Sequence, residues 1–227
     1  MKKVILANWK ANLSLPRAES WCETFAQFYR PQERIEIIIA VSPFMLDRIA
    51  QKIGSLQGIS LAVQGISSYP QGSYTGSTPA AWVRGLAQYT LLGHSERRRY
   101  FHETVQDVAR QVAESLSEEL QPIICVDQKL ITQQTAALAA EELEHALWAY
   151  TPDTPATFEM ARSVSDIAAI LPQFRQKTDN RPVLYGGGVT AENSAALWRV
   201  EGLGGVMLGK ACLDAKIFAS LVNSLSA

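Results

Sequence analysis

Gly93-His94-Ser95-Glu96-Arg97-Arg98 follows directly on the short apolar run Tyr89 to Leu92. A run of that length and composition reads as a buried strand, and the polar block after it as the loop at the strand's carboxyl end. Seven similar runs lie outward from it: Val4 to Ala7, Ile35 to Val41, Ile59 to Val63, Pro122 to Val126, Ala146 to Tyr150, Pro182 to Tyr185 and Gly205 to Leu208. Each is followed by a stretch of helical periodicity, such as Ala18 to Tyr29 or Thr104 to Leu120. Eight βα units without a linker or low-complexity break predict one α/β domain over residues 1–227. Two architectures share that local pattern, a closed (β/α)8 barrel and an open doubly wound sheet. No self-similarity between units separates them.

Composition excludes several function classes. The chain carries 21 basic and 22 acidic residues, so neither nucleic-acid nor membrane electrostatics is implied. Val4-Ile5-Leu6-Ala7 behind Lys2-Lys3 is too short for a signal-peptide core, since it stops at Asn8, and no run of membrane-spanning length occurs. Cys22, Cys125 and Cys212 are odd in number and far apart, which fits a reducing cytoplasm better than a disulfide framework or a zinc site. Neither metal-ligand clusters nor a dinucleotide fingerprint is found, so no cofactor is expected.

In a parallel barrel the reactive groups sit on the loops after the strands. Asn8-Trp9-Lys10 ends the first run, the Gly93 to Arg98 block the fourth, and Tyr185-Gly186-Gly187-Gly188-Val189 the seventh. Taken alone, His94 reads as an ordinary hydrogen-bonded polar residue and Lys10 as a solvated lysine. Their shared position at strand ends favours a site. Arg97 and Arg98 read as loop-holding ion-pair partners, and His102 and His145 as bystanders in helical stretches. The longest polar insertion, Gly65 to Gly76, includes Tyr69 and Tyr74 and reads as a docking arm rather than a mobile surface loop.

These three segments, in this order and spacing, resemble the triosephosphate isomerase family, and Tyr74-Thr75-Gly76 extends the resemblance over essentially the whole chain. It selects the closed TIM barrel over the open sheet. It also implies an aldose–ketose isomerase site for a small phosphorylated sugar or inorganic anion. Lys10 is then the cation beside a developing oxyanion, with Asn8 a neutral donor. His94 is the electrophile that moves a proton between two oxygens; the neutral histidine of this family is a standard worked case of pKa tuning. Ser95-Glu96 opens a short helix, and Glu96 lies within reach of Lys10. Gly186, Gly187, Gly188, Gly209 and Lys210 fall at the phosphate-binding positions. Residues 65–78 become a homodimer loop, with Thr75 reaching toward the partner's site.

The resemblance breaks in three places. The family has Tyr-Glu-Pro where this chain has Tyr150-Thr151-Pro152, and that glutamate is the general base. A hydroxyl is far too weak a base to replace it at neutral pH. The family's long lid, of the type Val-Trp-Ala-Ile-Gly-Thr-Gly, is replaced by Asp153-Thr154-Pro155-Ala156, with several residues absent before the sixth helix. The segment between the fifth and sixth runs is also short, which predicts a truncated fifth helix. Finally, Gly209-Lys210 stands where the family has a Gly-Gly pair, a substitution similar to that in relatives acting on four-carbon ketose phosphates. Asp153 is the nearest alternative carboxylate, but an extended chain places it roughly 6–7 Å beyond Thr151. Glu159 reads as a first-turn helix residue. The expected protein is an anion-binding barrel with absent or strongly reduced isomerase activity. The competing expectations are an isomerase with a displaced base, Asp153, and a barrel whose pocket is vestigial.

Overall fold

The computed structural model describes residues 2–152 and 162–225. Its strands are β1 (Lys3–Asn8), β2 (Ile35–Val41), β3 (Ile59–Gln64), β4 (Tyr89–Leu92), β5 (Gln121–Val126), β6 (Leu147–Tyr150), β7 (Val183–Tyr185) and β8 (Leu203–Leu208). They close in sequence order, every neighbour is parallel, and β8 returns to β1 with Val4 opposite Gly205. The architecture is therefore a (β/α)8 barrel, and the open-sheet alternative falls away. The boundaries lie within two residues of the sequence reading. The last strand differs most, starting at Leu203 because Gly204 and Gly205 carry the pairing across a register shift near Val183.

Strand alternation divides the chain between two cores. Val4, Leu6, Ile38, Ala40, Leu91, Ile123, Cys125, Leu147, Ala149, Leu184 and Met207 fill the barrel interior. Their neighbours in sequence face the surrounding helices. Closure is tightest where β8 meets β1. Gly205 has φ +152°, and a Cβ there would fall inside the van der Waals radius of the Val4 carbonyl oxygen. Only glycine lets the two backbones meet.

The helices are α1 (Leu15–Phe28), α2 (Leu46–Ile53), α3 (Ser95–Tyr100), α4 (Val105–Ser117), α5 (Ile131–Ala136), α6 (Ala140–His145), α7 (Val164–Lys177), α8 (Ala191–Trp198) and α9 (Ala215–Ser224). Local sequence fixes several starts. Thr104 with Asp107, Ser163 with Asp166 and Thr190 with Asn193 each form a reciprocal capping box. Between β5 and β6 the chain forms only the short α5 and α6, in line with the truncation read from the sequence. His102, expected within a helical stretch, instead precedes α4 with φ +53°, whereas His145 does end α6. Trp21 of α1 stacks on Phe25 and packs edge-on against Trp9, the residue after β1, which ties the first helix to the strand end that carries Lys10. Among the described residues no helix is long and apolar enough to cross a membrane.

Candidate functional site

At the end of β1 the backbone is bent to bring a side chain inward. Lys10 has φ +51°, a left-handed conformation that a non-glycine residue adopts at a cost of about 1 kcal/mol or more. The buried Asn8 amide holds that turn, its Oδ1 accepting the Lys10 N–H at 3.1 Å. Gln64, at the end of β3, donates its Nε2 to the same oxygen at 3.2 Å and to the Ala40 carbonyl at 2.8 Å. The Lys10 ammonium then meets Glu96 Oε1 at 2.6 Å.

The end of β4 is held as firmly. Gly93 has φ +64°, and a Cβ there would stand 2.5 Å from the Arg98 guanidinium. Its N–H donates to Glu103 Oε2 at 3.1 Å and its carbonyl accepts from Arg98 Nε at 2.8 Å. Glu103 also receives Arg97 and Gln111, while Arg98 reaches on to Gln134. Arg97 and Arg98 thus hold the loops, the part read for them from the sequence. His94, directly after this clamp, caps α3: the Glu96 N–H donates to His94 Nδ1 at 3.2 Å. A ring nitrogen that accepts carries no proton, so the neutral imidazole bears its hydrogen on Nε2. Burial is the main force pushing the His94 pKa down to about 4, with the Lys10 charge adding to it and Glu96 opposing. The side chain is 13 % exposed. The described residues therefore bring a cation, a carboxylate and a neutral N–H donor into one cluster.

The opposite rim is formed by β6, β7 and β8. Thr151 is buried and tied to the ladder, its N–H donating to the Val126 carbonyl at 2.9 Å. It lines a cleft of about 260 Å³ together with Ser95, Arg98, Asp127 and Leu130. Gly186 donates its N–H to the Tyr150 carbonyl at 2.9 Å, so that amide is committed to the barrel. A Cβ at Gly186 would strike Met207, and one at Gly187 would lie 2.6 Å from the Tyr185 hydroxyl oxygen. The glycines are needed for packing as well as for any ligand. Among the described residues, the amides of Gly187 and Gly188 donate to no partner. Asn193 fixes the Gly188 carbonyl at 2.9 Å, just ahead of α8. Gly209 stands against Lys10, since a Cβ built on it would lie 3.8 Å from Nζ, and Lys210 opens an exposed turn.

Asn8, Lys10, His94 and Glu96 are thus joined by direct contacts, while Thr151, Gly186 to Gly188, Gly209 and Lys210 ring the same barrel mouth. Asp153, Glu159 and the shortened lid lie outside the described residues. Sequence reasoning missed Gln64 and Glu103. Gln64 had one usable signal, a polar residue at an inward position ending an apolar strand. Glu103 had none: its partners Gly93, Arg97 and Gln111 lie within ten residues, but no motif spacing marks them as one cluster. Tyr74, Thr75 and Gly76 stand exposed at the tip of the third loop, where Tyr69 and Tyr74 stack with ring centroids 4.7 Å apart.

The class of protein that these features define is a closed parallel barrel with a Lys–Glu–His cluster at its C-terminal mouth, an arrangement able to meet developing negative charge on oxygen. The triosephosphate isomerase family model matches residues 3–225. Triosephosphate isomerase of Aquifex aeolicus is 30 % identical over 248 positions, covering 99 % of this chain and all of that protein. That of Marinobacter nauticus is 29 % identical over 100 % of this chain and 98 % of its own length. The chain belongs to the triosephosphate isomerase family. An alignment of 248 positions exceeds the 227 residues present, so the Aquifex aeolicus protein carries residues that this chain lacks.

The imidazole of His94 is expected to stay neutral, with its proton on Nε2, from pH 5.5 to 9, as read by nitrogen-15 NMR of the ring. Because its folded-state pKa lies below the ordinary 6.5, the unfolded chain binds more protons between about pH 4 and 6.5, and this group makes stability rise with pH across that window. A ring that titrates near 6.5 in the folded protein contradicts this geometry.

Proposed function

We propose that this protein binds a small phosphorylated sugar, or a simple phosphate-like anion, at the C-terminal mouth of the barrel, and that it isomerises such a sugar weakly or not at all. The observation that carries the reading is Thr151. It follows β6, two strands round the barrel from the β4 end that carries His94 and Glu96, at the position where the family resemblance puts a carboxylate. In the roles proposed, Lys10 and Asn8 meet the oxyanion and His94 Nε2–H is the electrophile, with Glu96 fixing the lysine. The amides of Gly187 and Gly188, together with Gly209 and Lys210, receive the phosphate. Gly186 serves by leaving room for Met207. Enolisation needs a base as well as an electrophile, and loss of the base lowers rates by roughly 10²- to 10⁴-fold. The intact cluster favours a second reading, an active triose- or tetrulose-phosphate isomerase that uses the Asp153 carboxylate.

The third loop supports a homodimer. Residues 69 to 76 are continuously exposed, with two stacked tyrosines, yet the base of the loop is pinned by the Ser67 N–H on the Thr78 carbonyl and Gln111 on the Ile66 carbonyl. A rigid, aromatic, exposed arm fits a partner surface better than solvent. A cytoplasmic location agrees with three free, buried cysteines.

Three measurements test this reading. Dihydroxyacetone phosphate is expected to turn over about a thousandfold more slowly than with a family member that has the glutamate. Turnover within tenfold of such an enzyme overturns the loss of function, and failure to bind glycerol 3-phosphate in calorimetry overturns the pocket. In sedimentation the chain is expected to be a dimer that Thr75→Arg weakens; a monomer at every concentration removes the homodimer.

A further inference from the structure

The cleft beside Thr151 contains a carboxylate that the sequence reading did not weigh. Val126 of β5 pairs with Tyr150 of β6, so the next residues, Asp127 and Thr151, are neighbours on adjacent strands, about 5 Å apart between backbones. Cys125 and Ala149 face the barrel interior while Val126 and Tyr150 face the helices. Both residues follow their strands directly, and the Thr151 N–H to the Val126 carbonyl, at 2.9 Å, carries the pairing one step past the strand ends. Both line the same cleft, with Ser95, the residue after His94, on its other wall.

The two Asp127 oxygens differ. Oδ1 accepts the N–H groups of Lys129 and Leu130 at 3.0 and 2.9 Å and so fixes the side chain at the entry to α5. Oδ2 accepts nothing among the described residues. The cleft volume of about 260 Å³ is several times the roughly 30 Å³ that one water occupies. Arg98, on the cleft wall, lies close enough to feel the Asp127 charge.

We propose that Asp127 Oδ2 is the proton acceptor for the carbon-acid chemistry this site retains, acting through one water held between Thr151 and Ser95. This rests on the reading of the mouth as a sugar-phosphate site with weakened turnover. The water takes the proton from the carbon beside the carbonyl of a ketose phosphate as it passes one of its own to Oδ2. The C–H electron pair becomes the carbon–carbon double bond of the enediol, and His94 Nε2–H supplies the proton to the carbonyl oxygen. His94 then takes the proton from the hydroxyl on the first carbon, whose oxygen becomes the new carbonyl. The same water delivers a proton to the neighbouring carbon and receives one from Asp127, so that both groups end as they began. Relay through a water keeps the group within reach of general-base work while placing it less well than a carboxylate in direct contact.

The test is deuterium incorporation into dihydroxyacetone phosphate in heavy water, followed by proton NMR. Asp127→Asn keeps an oxygen able to accept from Lys129 and Leu130, so the loop entry is preserved while the base is lost. Exchange by the wild type above buffer, reduced at least tenfold in Asp127→Asn with glycerol 3-phosphate binding unchanged, is the expected result. Equal exchange in the two proteins overturns the proposal, as does a loss seen in Asp153→Asn instead. No exchange above buffer in the wild type also overturns it, yet leaves the anion-binding reading intact, which only failed binding or full-speed turnover removes.

Discussion

The left-handed turn at Gly93 is the constraint on which the site depends. A buried carboxylate, Glu103, and a guanidinium, Arg98, grip its N–H and its carbonyl from opposite sides. Hydrogen bonds to charged groups in a poorly solvated setting contribute about 1.5–3 kcal/mol each, which is enough to hold a backbone in an uncommon conformation. The turn sets His94 at the head of α3, and this places Nδ1 over the Glu96 N–H and leaves Nε2 as the donor. Glu96 in turn receives Lys10, whose own backbone is left-handed and steadied by Asn8. Two left-handed positions after different strands, of which Lys10 alone is strained because it is not glycine, are thus coupled through one carboxylate. Strain maintained in this way is a mark of a site rather than of a fold.

On the proposed function, that coupling accounts for an electrophilic half of the site that stands without a base. The electrophilic half is built into β1, β3 and β4, and its members support one another. The position of the base belongs to β6, whose end is joined to the rest mainly by ladder bonds such as the Thr151 N–H to the Val126 carbonyl. Exchange of a carboxylate for a threonine there leaves the His94 cluster untouched, because no contact runs between them. The packing around Thr151 is compact: its methyl group and Met207 fill the space that a side chain at Gly186 would take. The proposed binding and turnover are therefore separable, since the first would draw on the mouth as a whole and the second on the strand ends around Thr151.

Much of the barrel was legible in the sequence, because strand runs and helical stretches alternate with distinct periodicities. Closure was not legible in that alternation, which barrel and open sheet share; the motif resemblance supplied it, and what closes the ring is the approach of Gly205 to Val4, far apart in the chain. Asn8, Lys10, His94 and Glu96 were readable from compact motifs at strand ends. Gln64 had a signal in its inward position at a strand end, which went unread, whereas nothing along the chain marks Glu103 as the residue that grips Gly93. Asp127 was passed over for the same reason. Along the chain it reads only as a helix-capping aspartate, and its relation to Thr151 exists only once β5 lies beside β6. The Gly186 to Gly188 triplet was read as three amides for an anion, whereas the first of them belongs to the β6–β7 ladder.

On the proposed reading, the missing carboxylate at Thr151 limits turnover more than the shortened lid or Lys210 does. Turnover of dihydroxyacetone phosphate by Thr151→Glu, alongside the wild type and the double variant Thr151→Glu/His94→Ala, tests that most directly. A rise of at least tenfold in Thr151→Glu that disappears when His94 is also removed is the predicted result. Turnover in Thr151→Glu that stays at or below the wild-type level, in a protein that remains folded and still binds glycerol 3-phosphate, would contradict it.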